Sequence, residues 1–466
     1  MFQRKTRAQL CSALALIGSA LVSPDTFPAG SKDSRLSDEP IPYLGDTELP
    51  QRTAPLLEVG DAFLDTGNLK PGFVLPTGAV WQPRLWVYGT ARSSLGSHRV
   101  QNGPTVTQWA NRLDLFGNLQ LTGTERLLVG IQPVHIGRNF SGYSITPDDT
   151  DGGDEFLNLR MSTLFFEGDI AEIFPRWDPT DKTSNDIGFS VGRQSVVFQD
   201  GMLVNDTLDA FGLTRNNVRF DNVAWLINLR TTFLYAWGDT HRDDNAEDPS
   251  TEIYALFTSI DTIKSTFNFD IAYADSDQRG EGDLLAFGFD AIQRFGKFST
   301  TLRALGSVAI KEKSRVSENG VLLFGDINWT PAYSQDLAYV TVFAGFDRYT
   351  STARDPLAGG PLGRVGLLFS ARGIGSFPSP LSNRAGDAYG GAVGYQFQML
   401  KSRRQLTFET GARKDNAELG TNSYGLAGRF QQAFGRRGVF TLEGFGTLTT
   451  DRKPGVGIRT ELLLKL

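Results

Sequence analysis

The sequence predicts an all-β protein, a transmembrane antiparallel up-and-down β-barrel of about eighteen strands, and three observations carry that reading. Polar and apolar residues alternate with a period of two along segment after segment, the period of a strand and not of a helix. The segments commonly run to ten to thirteen residues. Soluble strands cluster near about 5 to 6, whereas a tilted crossing of a bilayer takes roughly 9 to 11. Tight turns also alternate with long polar loops, as in outer-membrane barrels.

Residues 1–23 read as a secretory signal peptide, with Arg4, Lys5 and Arg7 ahead of the apolar run from Leu10 to Val22 and small residues Gly18 and Ala20 near its end. The sole cysteine, Cys11, falls inside it, so no disulfide or thiolate chemistry is expected of the mature chain. Residues 24–78 are rich in Pro, Asp and Gly without periodicity and read as an extended periplasmic arm. The barrel is assigned to 79–466. Its strands are expected near 83–95, 108–121, 125–134, 157–168, 187–198, 218–226, 229–237, 251–260, 264–275, 284–294, 297–309, 320–330, 337–349, 388–400, 403–415, 422–434, 437–449 and 456–466. That count treats 199–217 and 350–387 as long external or infolded loops. Sixteen strands stay open as an alternative, because "RVGLLFSAR" (364–372) also reads as a strand.

The last strand shows the logic. Val456, Ile458, Leu462, Leu464 and Leu466 fall on one side, with Arg459, Glu461 and Lys465 on the other, as in a wall between oil and water. Lipid cannot satisfy unpaired backbone groups, so this strand must pair with the first one near residue 83. A soluble sandwich or propeller also alternates, but nothing repeats at a blade period. A barrel this wide encloses water.

Composition narrows function. A formal net charge of −6, more negative once the basic leader is removed, argues against a nucleic-acid partner. His98, His135 and His241 are too scattered for a metal site, and no Ser, His and acid set emerges from spacing, so neither enzyme nor cofactor is expected. "DDTDGGDE" (148–155) lacks the EF-hand spacing and reads as a solvated acidic loop. The arm is too short for the plug of a gated receptor.

One stretch carries a resemblance. "IGFSVGRQSVVFQDGMLVNDTLDAFGLTRNNVRFDNVAWL" (187–226) contains Gly192, Arg193 and Gln194, then Asp200, then Arg219, Phe220, Asp221 and Val223. In this it resembles the alginate-export family of outer-membrane porins, over about forty residues. It departs from that family's usual pattern in having "MLVNDTLDAFGLTRNN" between the two strands. The resemblance implies passage of anionic polysaccharide or related small solutes through an Arg-lined pore in the outer membrane of a Gram-negative bacterium, without covalent chemistry. Bilayer lipid, small anionic or sugar solutes and periplasmic export partners are the implied partners. A general or neutral-carbohydrate porin is the alternative, and the oligomeric state stays open.

The polar faces give a residue-level version. Arg112, Arg160, Arg303, Arg364, Arg413, Arg429 and Arg459 are assigned to the lumen, with Asp114, Asp290, Glu409, Glu443 and Glu461. A guanidinium presents a flat fork of donors that fits carboxylates, and rings of charge select solutes. Strict alternation puts Arg193 on the lipid side with Phe189 and Val191, and a bulge at Gly192 is expected to turn it inward. Residues 199–217 are the candidate constriction loop. There Met202, Leu203, Leu208, Phe211 and Leu213 would anchor it to the wall while Asp200, Asn205, Asp206 and Asp209 narrow the water path. Trp86 and Tyr88 are assigned to the interfacial aromatic belt.

Overall fold

A computed structural model describes residues 53–62, 72–134, 141–146, 159–177, 186–218, 220, 222–278, 281–416 and 420–466. The assigned signal peptide and the acidic stretch 148–155 lie outside these residues. From Thr53 onward the chain forms one compact unit.

Eighteen antiparallel strands make one closed sheet. In chain order they are β1 (Arg84–Arg99), β2 (Thr105–Gln120), β3 (Arg126–Val134), β4 (Arg160–Asp169), β5 (Ile187–Phe198), β6 (Val204–Val218), β7 (Leu226–Trp237), β8 (Glu252–Thr262) and β9 (Ser265–Asp275). They continue with β10 (Leu284–Phe295), β11 (Phe298–Ala309), β12 (Gly320–Trp329), β13 (Leu337–Asp347), β14 (Ala388–Met399), β15 (Arg404–Asp415), β16 (Asn422–Phe434), β17 (Gly438–Thr449) and β18 (Gly455–Lys465). Each pairs with the next, and the ring closes where β18 meets β1, from Val456↔Arg99 to Lys465↔Thr90. Closure leaves no edge in the hydrocarbon layer, which is what lipid requires.

Alternation sorts the side chains as expected. On β18 the exposed residues are Val456, Ile458, Leu462 and Leu464, while Arg459 and Glu461 are buried inside. On β9 Phe269 and Ile271 face out and Asp270 faces in. The apolar outer belt recurs around the wall, with Phe287, Val342, Phe408 and Leu426 among its members.

Four features depart from simple alternation. The sixth strand is Val204–Val218, not 218–226, so most of the expected loop 199–217 is strand and only its first residues form a turn, Gln199–Gly201. β5 and β6 stay hydrogen-bonded from Arg215↔Ile187 to Val204↔Phe198, but β4 pairs with β5 only up to Arg193 and β7 pairs with β6 only up to Asp209. Beyond those residues the hairpin leaves the wall and enters the lumen. The second departure is the segment 348–387, which forms no barrel strand. "RVGLLFSAR" folds into turns, with Leu367, Leu368 and Phe369 buried inside the barrel.

The third concerns Trp86 and Tyr88. Both share a face with Arg92 and Ser94 and point inward, Tyr88 stacking on Phe116 and Trp86 donating from Nε1 to the carbonyl of Asp61. They are not belt residues. The fourth is the arm, where Leu57–Val59 pairs with Val87–Leu85 and so lines the part of β1 that the end of β18 does not reach.

Candidate functional site: the lumenal constriction

Two inward elements narrow the barrel. The first is the tip of the β5–β6 hairpin, residues 199–203, in which Met202 and Leu203 are fully or almost fully buried, as are Val204 and Leu208 at the start of β6. The tip reaches the wall at β9 and β11. Gln199 donates from Nε2 to Asp270 (2.7 Å), and Arg303 on β11 donates from Nε to Gln199 (2.9 Å) and from Nη2 to Asp200 (2.9 Å). The second element is the loop 348–387. Its backbone N–H groups of Leu367 and Leu368 donate to Glu409 on β15 (2.8 and 2.7 Å), and Arg372 donates to Glu443 on β17 (2.8 Å). Gly366, at φ +52°, lets this backbone approach Glu409, since a Cβ there would lie 2.4 Å from a carboxylate oxygen.

The two elements are knotted together. Val204 and Asn205 pair in parallel with Ala353 and Arg354. Arg354, fully buried, donates to the carbonyls of Gly201 (2.8 Å), Met202 (3.2 Å) and Gly360 (2.9 Å), and Tyr349 donates to Met202 O (3.0 Å). A third loop, 238–251, joins through His241, whose Nδ1 lies 3.1 Å from Asp206 and whose backbone N–H donates to the same carboxylate (2.9 Å). Burial is the largest influence on His241 and would lower its pKa. The Asp206 hydrogen bond and charge, with Asp355 and Glu247, outweigh it and raise the pKa above the ordinary value.

Beneath this knot lie two polar chambers that share Asp200. One, of about 450 Å³, is lined by Asp326, Asn328, Tyr339, Arg364, Gln396 and Arg429 among others. The other, of about 290 Å³, is lined by Arg230, Thr258, Asn268, Asp270, Asp290 and Arg303 among others. The closed eighteen-strand sheet thus carries an apolar outer belt, a polar lumen and infolded loops. The fold is that of a Gram-negative outer-membrane porin.

Solved structures agree on that fold. The BenF-like porin of Pseudomonas fluorescens Pf-5 superposes with a TM-score of 0.57 at 11% identity, covering 82% of this chain and 99% of that one. OccK2 (OpdF) of Pseudomonas aeruginosa gives 0.54 at 12% identity, with 82% and 97% covered, and its complex with glucuronate gives 0.52 at 11%. OccAB3 of Acinetobacter baumannii gives 0.53 at 9%, with 82% and 99% covered. No protein-family model and no curated protein matches the chain.

The expected site residues divide into four groups. Most of the lumenal arginines are tied into the wall. Arg112 donates to Asp114 (2.8 Å), Arg413 to Asp415 (2.6 Å), Arg429 to Glu443 (2.9 Å) and Arg459 to Glu443 (2.6 Å) and Glu461. Arg160 faces inward opposite Gln132, and Arg303 holds the hairpin tip. Arg364 alone of the assigned set is exposed, at the constriction, with no acid within ion-pair distance among the described residues.

Arg193 is a correction. Gly192 does take φ +118°, yet the pairing runs on without a slip, and Arg193 shares its face with Val191 and, across the strand, Leu164, both exposed on the outer wall. Its partners Asp209 and Asp239 lie on that outer side too, so Asp209 does not narrow the water path. Asn205 and Asp206 sit on strand β6, not in a loop, and Asp206 is spent on His241. Asp200 reaches the passage, its side chain 70% exposed. Arg219 and Asp221 lie outside the described residues.

The sequence reading did not single out Arg354, Arg372 or Tyr339. Tyr339 donates to Glu409 from an expected strand, Arg354 sits in a stretch without periodicity, and Arg372 closes the stretch 364–372 that also reads as a strand, so alternation alone did not mark their roles.

Proposed function

We propose that the chain is a passive channel of the Gram-negative outer membrane for small hydrophilic solutes carrying a carboxylate, sugar acids foremost among them. The single observation behind this is Arg364, an exposed guanidinium on the infolded loop, opening on a chamber of about 450 Å³ whose polar lining is amides, hydroxyls, Arg429 and the carboxylates Asp200 and Asp326. That volume falls in the range of roughly 300–1,000 Å³ typical of small-molecule sites, enough for a mono- or disaccharide. A free fork of donors suits a carboxylate, and Asn328, Gln396, Gln431 and Tyr339 suit ring hydroxyls. The complex of OccK2 with glucuronate is in keeping with this, as a barrel of similar fold holding a uronate.

The resemblance of 187–226 to alginate exporters adds a second reading, outward passage of uronate polymer. The small-solute reading is preferred because the hairpin tip and the long loop both enter the lumen and are bonded to each other. Passage needs no covalent step and no cofactor.

Reconstitution in planar bilayers tests the proposal. Glucuronate is expected to interrupt ion current more strongly than glucose at equal concentration, and Arg364→Ala to reduce that difference by roughly tenfold in apparent affinity, the worth of one charge-assisted contact. Equal block by both sugars, or an unchanged ratio in the variant, sinks the assignment.

A further inference from the structure

At the tip of the infolded hairpin the backbone bends against its preference. Gln199 and Asp200 take φ of +53° and +50°, followed by Gly201 at +77°. For residues with a Cβ the left-handed region is disfavoured, and the side chains of Gln199 and Asp200 are held in it by specific contacts. Two buried arginines surround the tip. Arg354, on the long loop, grips backbone, the carbonyls of Gly201 and Met202. Arg303, on wall strand β11 and 4% exposed, grips the side chains of the strained residues themselves, Gln199 Oε1 and Asp200 Oδ2 (2.9 Å each), with Met202 Sδ at 3.8 Å. The wall leaves a place for this contact. Opposite the tip stands Gly288, where a Cβ would lie 2.9 Å from Gln199 Cγ.

Resting on the channel reading above, we infer that Arg303 is the positioning residue that sets the aperture, by holding the strained tip folded into the lumen against β9 to β11 with Asp200 presented to the passage. The distinction between the two arginines is what assigns the role. Backbone carbonyls are available in any tip conformation, so Arg354 fixes where the hairpin lies. The side-chain oxygens of Gln199 and Asp200 reach Arg303 only in the left-handed turn, so Arg303 fixes its shape. The barrel does not need this side chain to close, since β11 pairs through backbone at Asp290↔Arg303 and Arg303↔Phe324. Without the clamp the tip relaxes out of the left-handed turn, the passage widens, and Asp200 no longer faces it.

Single-channel recording of the full-length mature barrel tests this, with heat-modifiable migration in detergent reporting that each variant is folded. Arg303→Ala is expected to raise conductance roughly twofold, and Arg303→Lys to restore most of the parental value, because a cation at this place still holds Asp200. Asp200→Asn is expected to shift ion preference toward anions in the parent and to do little in Arg303→Ala. A folded Arg303→Ala that conducts like the parent overturns the inference, and so does an Asp200→Asn shift of equal size in both backgrounds. If Arg303→Ala fails to fold, Gly288→Leu displaces Gln199 without removing a charge, and the same rise is expected. An unchanged conductance there also overturns the clamp. A parent that does not conduct overturns the channel reading itself, and the aperture with it.

Discussion

The hairpin tip and the long loop both enter the lumen, yet the strongest grip of the wall on each is different. The tip is short and strained, and a wall cation reaches in to hold it, Arg303 on the oxygens of Gln199 and Asp200. The long loop is held by wall anions, Glu409 accepting from the N–H groups of Leu367 and Leu368, and Glu443 from Arg372. Neither set of contacts is of one sign, since Gln199 at the tip also donates to Asp270 and Arg413 on the wall also donates to the carbonyl of Arg384 in the long loop. What remains uncompensated at the gap between them is Arg364 on the loop side, facing the exposed carboxylate of Asp200 on the tip side. Internal pairing removes most lumenal charge from view, so selectivity falls to the few groups the pairing leaves over.

The comparison breaks most visibly at Glu443. This buried carboxylate accepts from three guanidiniums, Arg372, Arg429 and Arg459, at 2.8, 2.9 and 2.6 Å. Glu443→Gln keeps the shape and removes the carboxylate that all three share. Breaking a buried ion pair by removing one partner costs about 3–5 kcal/mol. The expected outcome is detachment of the long loop, seen as tryptic cleavage after Arg372 and Arg384 at enzyme levels that leave the parent intact, together with a lower temperature of barrel unfolding. Should the loop stay protected, the backbone contacts to Glu409 anchor it by themselves and the charge argument is wrong for this half. The corresponding change at the tip, Arg303→Ala, is expected to widen the aperture and also to lower barrel stability, because it leaves the buried carboxylate of Asp290 without its cation.

A smaller effect sharpens the tip side. The loop 238–251 joins the hairpin through His241 and Asp206, with Asp355, Glu247 and Asp239 as the other charges around the ring. His241 has a raised pKa, so its contribution is complete below the ordinary histidine value of about 6.5 and fades as pH rises through the folded value. Arg242 is 1% exposed, so trypsin reaches it only when the loop opens. Cleavage there is expected to be roughly threefold faster at pH 8 than at pH 5.5, relative to His241→Phe, in which the difference disappears. A pH-independent ratio means that the backbone N–H to Asp206 holds the loop without help from the ring.

These regions also differ in how legible they were. Every expected strand but one, 218–226, which touches β6 and β7 only at its end residues, coincides over most of its length with an observed one, because a wall between lipid and water imposes a two-residue period. The exception is instructive. "VNDTLDAFGLTRNNV" (204–218) puts Asp206 on one face and Asp209 on the other, and in its upper half neither face meets lipid, so the alternation that marks a membrane strand is absent where the hairpin enters the lumen. Arginine identity was readable and arginine role was not. Arg459 and Arg364 look equivalent in sequence, but one is sealed between Glu443, Glu461 and Ser94 while the other is open, and that depends on partners far along the chain. The long loop gave the least, since Gly and Pro without period leave packing to tertiary contacts alone.

Arg193 supplies the mildest test and the cleanest control. It belongs to the segment with the family resemblance, and by that token its loss would change solute preference. Its place says otherwise: the guanidinium lies on the outer face at the rim, 2.7 Å from Asp209 and paired also with Asp239, with side chains that are partly exposed. Ion pairs in such settings are worth about 0–1 kcal/mol. Arg193→Ala is expected to lower barrel stability by no more than that and to leave conductance and the ratio of glucuronate to glucose block unchanged, as bilayer recordings beside Arg364→Ala will show. A loss of anion preference comparable to that of Arg364→Ala would mean that the positive φ at Gly192 turns the side chain through the wall after all, and that the lumenal cations include one from the outer rim.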